Sequence, residues 1–107
     1  MINYICSMNI VEVNKVLSNK VRLDILKWLK TPKEYFPPHK ELKHFNDGVC
    51  VQYIQEKAGL SQSTISHYLS LMQKVKLVIP KRHGKWTYYK RNEDTIKKYL
   101  ELLDKEL

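Results

Sequence analysis

Apolar residues recur along this chain with two different periods. Near the amino end, Ile10, Val13, Val16 and Leu17 fall at helical spacing and predict a first helix. A second begins at about Asn19. In it Val21, Ile25, Trp28 and Leu29 lie at i, i+4, i+7 and i+8, and Thr31-Pro32 ends it, because proline disfavours helix at the preceding residue. Val51, Ile54 and Ala58 share one face of a third helix, opened by Asp47-Gly48 and closed by Gly59, since glycine takes the left-handed cap conformation cheaply. Ser61 is placed to cap a fourth helix, where Ile65, Leu69 and Met72 fall at i, i+4 and i+7. The pattern then changes. Leu77 to Lys81 and Trp86 to Arg91 are rich in β-branched and aromatic residues with His83-Gly84 between them, which predicts a hairpin. Asn92 or Asp94 starts a last helix with acids in its first turn and a stripe of Ile96, Leu100, Leu103 and Leu107. The expected class is mainly α with a small β-hairpin.

Residues 31 to 49 obey neither period. They hold Pro32, Pro37 and Pro38, the aromatic Tyr35, Phe36 and Phe45, and His39 and His44. A connection this long in a small domain either has a job or forms its own short element. Pro38 followed by His39 to Phe45 predicts a short helix with Leu42 and Phe45 inward. His39 and His44 are five apart, on different faces of such a helix, so they read as loop histidines and not as a metal pair.

Composition adds bounds. With 107 residues the chain reads as one domain over 1–107, with a small core that dimerisation would help. Hydrophobic content of 43% and charged content of 28% are those of a globular protein. No run approaches a membrane span, so no membrane partner is expected. Met1 to Lys15 lacks a basic leader, and two cysteines make no disulfide framework, so the expected location is the cytoplasm. There is no Cys-x-x-Cys, no His-x-x-x-His and no glycine-rich phosphate loop. The expectation is no metal, no cofactor and no catalytic activity.

Charge changes the picture more. Residues 57 to 91 hold eight Lys/Arg and no acid, while the 11 basic residues elsewhere balance all 11 acids, so this run accounts for the net +8. Such a region attracts polyanions. Inside it, Ala58-Gly59-Leu60-Ser61 joins two helices as in a helix-turn-helix, whose second helix enters the major groove. With Ile65, Leu69 and Met72 buried, the outer face presents Gln62, Ser63, Thr64, Ser66, His67, Ser70 and Lys74. Gln can pair with adenine, and Ser or Thr can serve a base or a phosphate. The hairpin adds Lys81, Arg82, His83, Lys85, Lys90 and Arg91, of which Arg82 and Lys85 flank the tip and are placed for phosphate or minor-groove contact. Trp86, Tyr88 and Tyr89 leave open a second reading, a stacking platform for RNA or single strands.

These residues resemble a known family. Leu17-Ser18-Asn19-Lys20-Val21-Arg22-Leu23-Asp24-Ile25-Leu26, Val49-Cys50-Val51, Gly59 through Leu69, and Gly84-Lys85-Trp86-Thr87-Tyr88-Tyr89 together resemble the ArsR/SmtB bacterial repressors, over about residues 10 to 103. The resemblance implies a winged helix-turn-helix homodimer that binds double-stranded operator DNA and is released by an effector. It maps 57–75 to the turn and recognition helix, 77–91 to the wing, and 1–18 and 92–107 to the dimerisation helices. Metal sensing is less well matched. Cys50 stands at the first cysteine of the family's Cys-Val-Cys site, but Gln52 and Tyr53 replace the residues that follow, and 92–107 contain no histidine. A third reading remains, a thiol-based metal or redox sensor. Cys50 at a helix start would be activated, and Cys6 on the N-terminal arm would be its partner. Operator and effector are not legible.

Overall fold

The computed structural model describes residues 8–107. Five helices and a three-stranded sheet follow in the order α1 (Ile10–Leu17), α2 (Lys20–Lys30), β1 (Val49–Cys50), α3 (Val51–Ala58), α4 (Gln62–Lys74), β2 (Val78–His83), β3 (Trp86–Arg91) and α5 (Glu93–Glu106). Caps set the helix starts. Asn9 Oδ1 accepts from the Val11 and Glu12 amides, Asn19 Oδ1 from Arg22, and Asn92 Oδ1 from Thr95. Arg22 then reaches back, its Nε donating to the Val16 carbonyl at 2.6 Å, and so fixes the joint between α1 and α2.

All five helices and the sheet contribute to one core. Ile25, Ile54, Ile65, Leu69, Met72 and Leu77 are all fully buried, joined by Val13, Val16, Leu29, Val49, Val78 and Ile96. The expected faces of α2 and α4 are therefore the ones that pack. On α1, which the resemblance assigns to the dimer interface, the predicted apolar positions do not all face outward. Val13 is turned into the protomer's own core at 2% exposure, and the apolar residue left outside is Val11, at 58%.

The sheet order is β1-β3-β2, antiparallel throughout. The hairpin register pairs His83 with Trp86. The turn is thus Gly84-Lys85, one residue later than expected, and Gly84 supplies the positive φ of 58° that a two-residue loop needs. The opening of α3 also differs. Asp47-Gly48 does not start the helix; the chain first makes β1, whose Val49 and Cys50 pair with Tyr89 and Tyr88. Gly48 has φ 100°, and a Cβ there would lie 1.9 Å from the Tyr89 carbonyl oxygen, so the approach to β3 admits only glycine.

Residues 39–45 do not form the expected helix. After a 3-10 turn at Pro32–Glu34 the segment runs irregularly, and its anchors are Phe36 and His39, at 7% and 4% exposure, while Leu42 and Phe45 are only half-buried. Contacts distant in sequence hold it, and a periodicity argument does not see them. Phe36 meets Trp28 edge-on, with 6.3 Å between ring centroids.

Candidate nucleic-acid interface

The turn between α3 and α4 is built as its residues dictate. Gly59 is left-handed at φ 69°, and its N–H donates to the Gln55 carbonyl at 2.9 Å. Ser61 Oγ accepts the Thr64 N–H at 3.2 Å and donates to Thr64 Oγ1 at 2.9 Å; Ser63 Oγ lies 3.2 Å away. Thr64 is therefore half-buried and occupied by the cap, which separates it from the other candidates. Gln62, Ser63, Ser66, His67, Ser70 and Lys74 are all exposed on the outer side of α4, a helix without acidic residues.

One residue that sequence reasoning missed holds this helix in place. Tyr68 is half-buried, its hydroxyl accepts from Asn19 Nδ2 at 3.4 Å, and the Arg22 guanidinium lies 4.9 Å above its ring. The start of α2 is thus locked to α4. The available signal was Tyr68 flanking the buried Leu69, an aromatic beside the predicted core position.

The wing is less cationic than its sequence suggested. Arg91 is bidentate to Glu93, with both bonds at 2.9 Å, and His83 Nε2 lies 2.7 Å from Asp47 Oδ2. The hydrogen bond from His83 is the main reason the Asp47 carboxyl titrates below its ordinary value. Lys81, Arg82, Lys85 and Lys90 remain exposed. Arg82 Nε donates to the Gly84 carbonyl at 2.8 Å and closes the tip, while the Lys85 ammonium sits 5.2 Å from the Trp86 ring centroid.

The irregular segment fastens the wing from the other side. His39 Nδ1 accepts the Glu41 N–H at 3.1 Å and lies 3.0 Å from the Tyr88 hydroxyl, so the neutral ring carries its proton on Nε2. The rings of Tyr53, Trp86 and Tyr88 surround it at 5.5, 4.8 and 5.4 Å. Trp86 Nε1 donates to Glu41 at 2.8 Å. Burial pushes the Tyr88 phenol above its ordinary range. Tyr88 is 1% exposed, so its ring offers no face for a base to stack on. Both histidines lie in the irregular segment; His44 is exposed and His39 is buried.

Cys50 caps α3 by position only. It is 1% exposed, and its side chain makes no capping hydrogen bond. Cys6 lies outside the described residues. Among the described residues, no group of three or more His, Cys, Asp or Glu side chains is gathered to hold a metal ion. No described helix is long and apolar enough to cross a membrane.

A capped recognition helix behind a glycine turn, followed by a two-stranded wing, defines a winged helix-turn-helix. No family model matches the chain. It is 44% identical over 100 residues to YbzH of Bacillus subtilis, described as an uncharacterized HTH-type transcriptional regulator; the match covers 94% of this chain and all of that one. A protein of Halobacterium salinarum that bears the name of an arsenical resistance operon repressor, ArsR2, is 37% identical over 65 residues, covering 61% of this chain and 54% of its own. The solution structure of a homodimeric winged helix-turn-helix DNA-binding domain from Mycobacterium bovis superposes with a TM-score of 0.62 at 24% identity, over 91% of this chain and 79% of that one. The chain belongs to the helix-turn-helix transcriptional regulators.

Proposed function

We propose that this regulator is a homodimeric repressor of a near-palindromic operator, released by an effector. The observation that carries the reading is the outer face of α4, where Gln62, Ser63, Ser66, His67 and Ser70 stand exposed on a helix without acids. These short donors and acceptors suit base edges, while Arg82 and Lys85 at the wing tip suit phosphates. Lys74 and Thr64 play lesser parts, one at the far end of α4 and the other inside its cap. The Mycobacterium bovis domain is a homodimer, and the half-covered stripe of α5 supports the same assembly here. The chain would act in the cytoplasm, where operator DNA is found, and no catalytic step is assigned to it.

The test is DNase footprinting on the DNA upstream of the chain's own gene. Protection of a duplex site with two-fold symmetry is the expected result. Preference for single-stranded or RNA probes of the same sequence would overturn it.

A further inference from the structure

A cleft of about 540 Å³ lies between α1, the C-terminal end of α4 and the first turns of α5. That volume is in the range of small-molecule sites, roughly 300–1,000 Å³. Its floor is apolar. Val13 and Val16 are buried beneath it, and Met8, Leu71 and Val75 are partly buried around it. Its rim is cationic. Lys74, Lys76 and Lys98 line it against one acid, Glu12, which is already held by Lys15 at 3.5 Å. Neither Lys74 nor Lys98 makes an ion pair among the described residues. Lys76 occupies a left-handed position at φ 65°, just past the end of α4. Glycine is the usual residue at such a site, so a side chain there is retained at a cost in backbone strain.

An apolar floor under the Lys74 and Lys98 ammonium groups selects against cations, which the lysines repel. It also selects against small inorganic anions, which leave the floor uncovered. We propose that this cleft binds a small organic anion with an apolar body, of the medium-chain carboxylate class, and that such a compound is the effector. The carboxylate takes Lys98 and Lys74, and the hydrocarbon covers Leu71, Val75 and the valines. The second half rests on the repressor reading above. Its route is direct, because one bound molecule touches the recognition helix through Leu71 and Lys74 and the two terminal helices through Val16 and Thr95. A ligand shifts an equilibrium only by its differential affinity for two states, and a cleft shared by three helices changes shape whenever they move relative to each other.

Calorimetric titration of the full chain with decanoate tests the site without DNA. Decanoate is expected to bind once per chain. Lys98→Glu should weaken it about tenfold, the loss of one charge-assisted contact, and Lys98→Arg should restore it. 1-Decanol, which has the same body without the charge, should bind about tenfold more weakly. Leu71→Trp, which fills the floor, should abolish binding while thermal melts show both variants folded. No binding of decanoate, equal binding of decanol, or an unchanged Lys98→Glu variant would each overturn the site. Anisotropy on labelled upstream DNA then tests the effector role, with decanoate expected to release wild type and not Lys98→Glu. If decanoate binds but leaves DNA affinity unchanged, the effector role is overturned and the site stands. If the chain binds no upstream DNA at all, the repressor reading fails while the titration still decides the site.

Discussion

Single side chains divide here into those that face the solvent and those that hold the framework. Gln62 and His67 are exposed on α4, and among the described residues their side chains make no hydrogen bond. Gln62→Ala or His67→Ala should therefore leave stability unchanged and cost roughly 1–3 kcal/mol at the operator, with specificity relaxed at the contacted base. Lys85→Ala should weaken all sequences alike and lower the salt slope by about 1. Fluorescence anisotropy against cognate and scrambled duplexes separates the two patterns, and equal affinities for both α4 variants and wild type would remove α4 from the groove. Glycines show the framework side. Gly48→Ala would set a methyl 1.9 Å from the Tyr89 carbonyl, whereas a Cβ at Gly84 meets nothing within 4 Å. Both positions have positive φ, so Gly84→Ala should cost about 1–2 kcal/mol from backbone strain alone, and Gly48→Ala distinctly more. Urea denaturation of the two variants checks that order.

At the scale of elements, the helices were legible and the segment between α2 and α3 was not. Ile65, Leu69 and Met72 repeat at helical spacing, and all three are fully buried. Gly59 and Ser61 mark the turn by local chemistry that needs no partner elsewhere. In 31–48 the organising contacts are non-local. His39 packs among Tyr53, Trp86 and Tyr88, Glu41 takes the Trp86 indole, and Asp47 takes His83, up to 49 residues away. No period encodes such contacts, so the expected helix there was an error of principle as well as of placement. The wing also looked more basic than it is, because His83 is taken by Asp47, distant in sequence, and Arg91 by Glu93 at the start of α5. The outer face of α4 was legible because helical spacing alone fixes which of its residues point outward; the fastening of the wing was not. The Asp47 link has a pH signature. Its folded-state carboxyl titrates below the ordinary value of 3.8, with the hydrogen bond from His83 as the largest cause. A depressed carboxyl contributes stability that is full above the unfolded value and is lost as pH falls through the folded one. Acidification below about pH 4 should therefore loosen the segment from the wing, and Asp47→Asn should lack that component of the acid transition. Hydrogen exchange at the amides of β3, followed with pH in both proteins, checks it.

At the scale of the whole molecule, the described residues leave an apolar surface uncovered. Leu100 is 56% exposed and Leu107 98%, on the α5 stripe whose Ile96 end is buried, and Val11 on α1 is 58% exposed. Tyr99 donates to Asn14, so the two helices that carry these residues, α1 and α5, are joined. A chain of 107 residues buries a modest core, and pairing two such surfaces about a two-fold axis would remove the exposed leucines from water. It would also set two α4 helices about 34–36 Å apart, one turn of duplex. Wild type should therefore sediment as a dimer at micromolar concentration, with a melting temperature that rises with concentration, as mass action requires. Leu100→Glu places a charge at the middle of the stripe, on an exposed position of α5. It should give a folded monomer whose affinity for a full site falls to that of an isolated half-site, because the two heads no longer bind as one. A wild-type monomer at micromolar concentration, or a Leu100→Glu protein that stays dimeric, would show that the stripe is only an exposed helix face. The half-site comparison decides between dimerisation and a general loss of fold, since a misfolded head would lose the half-site as well.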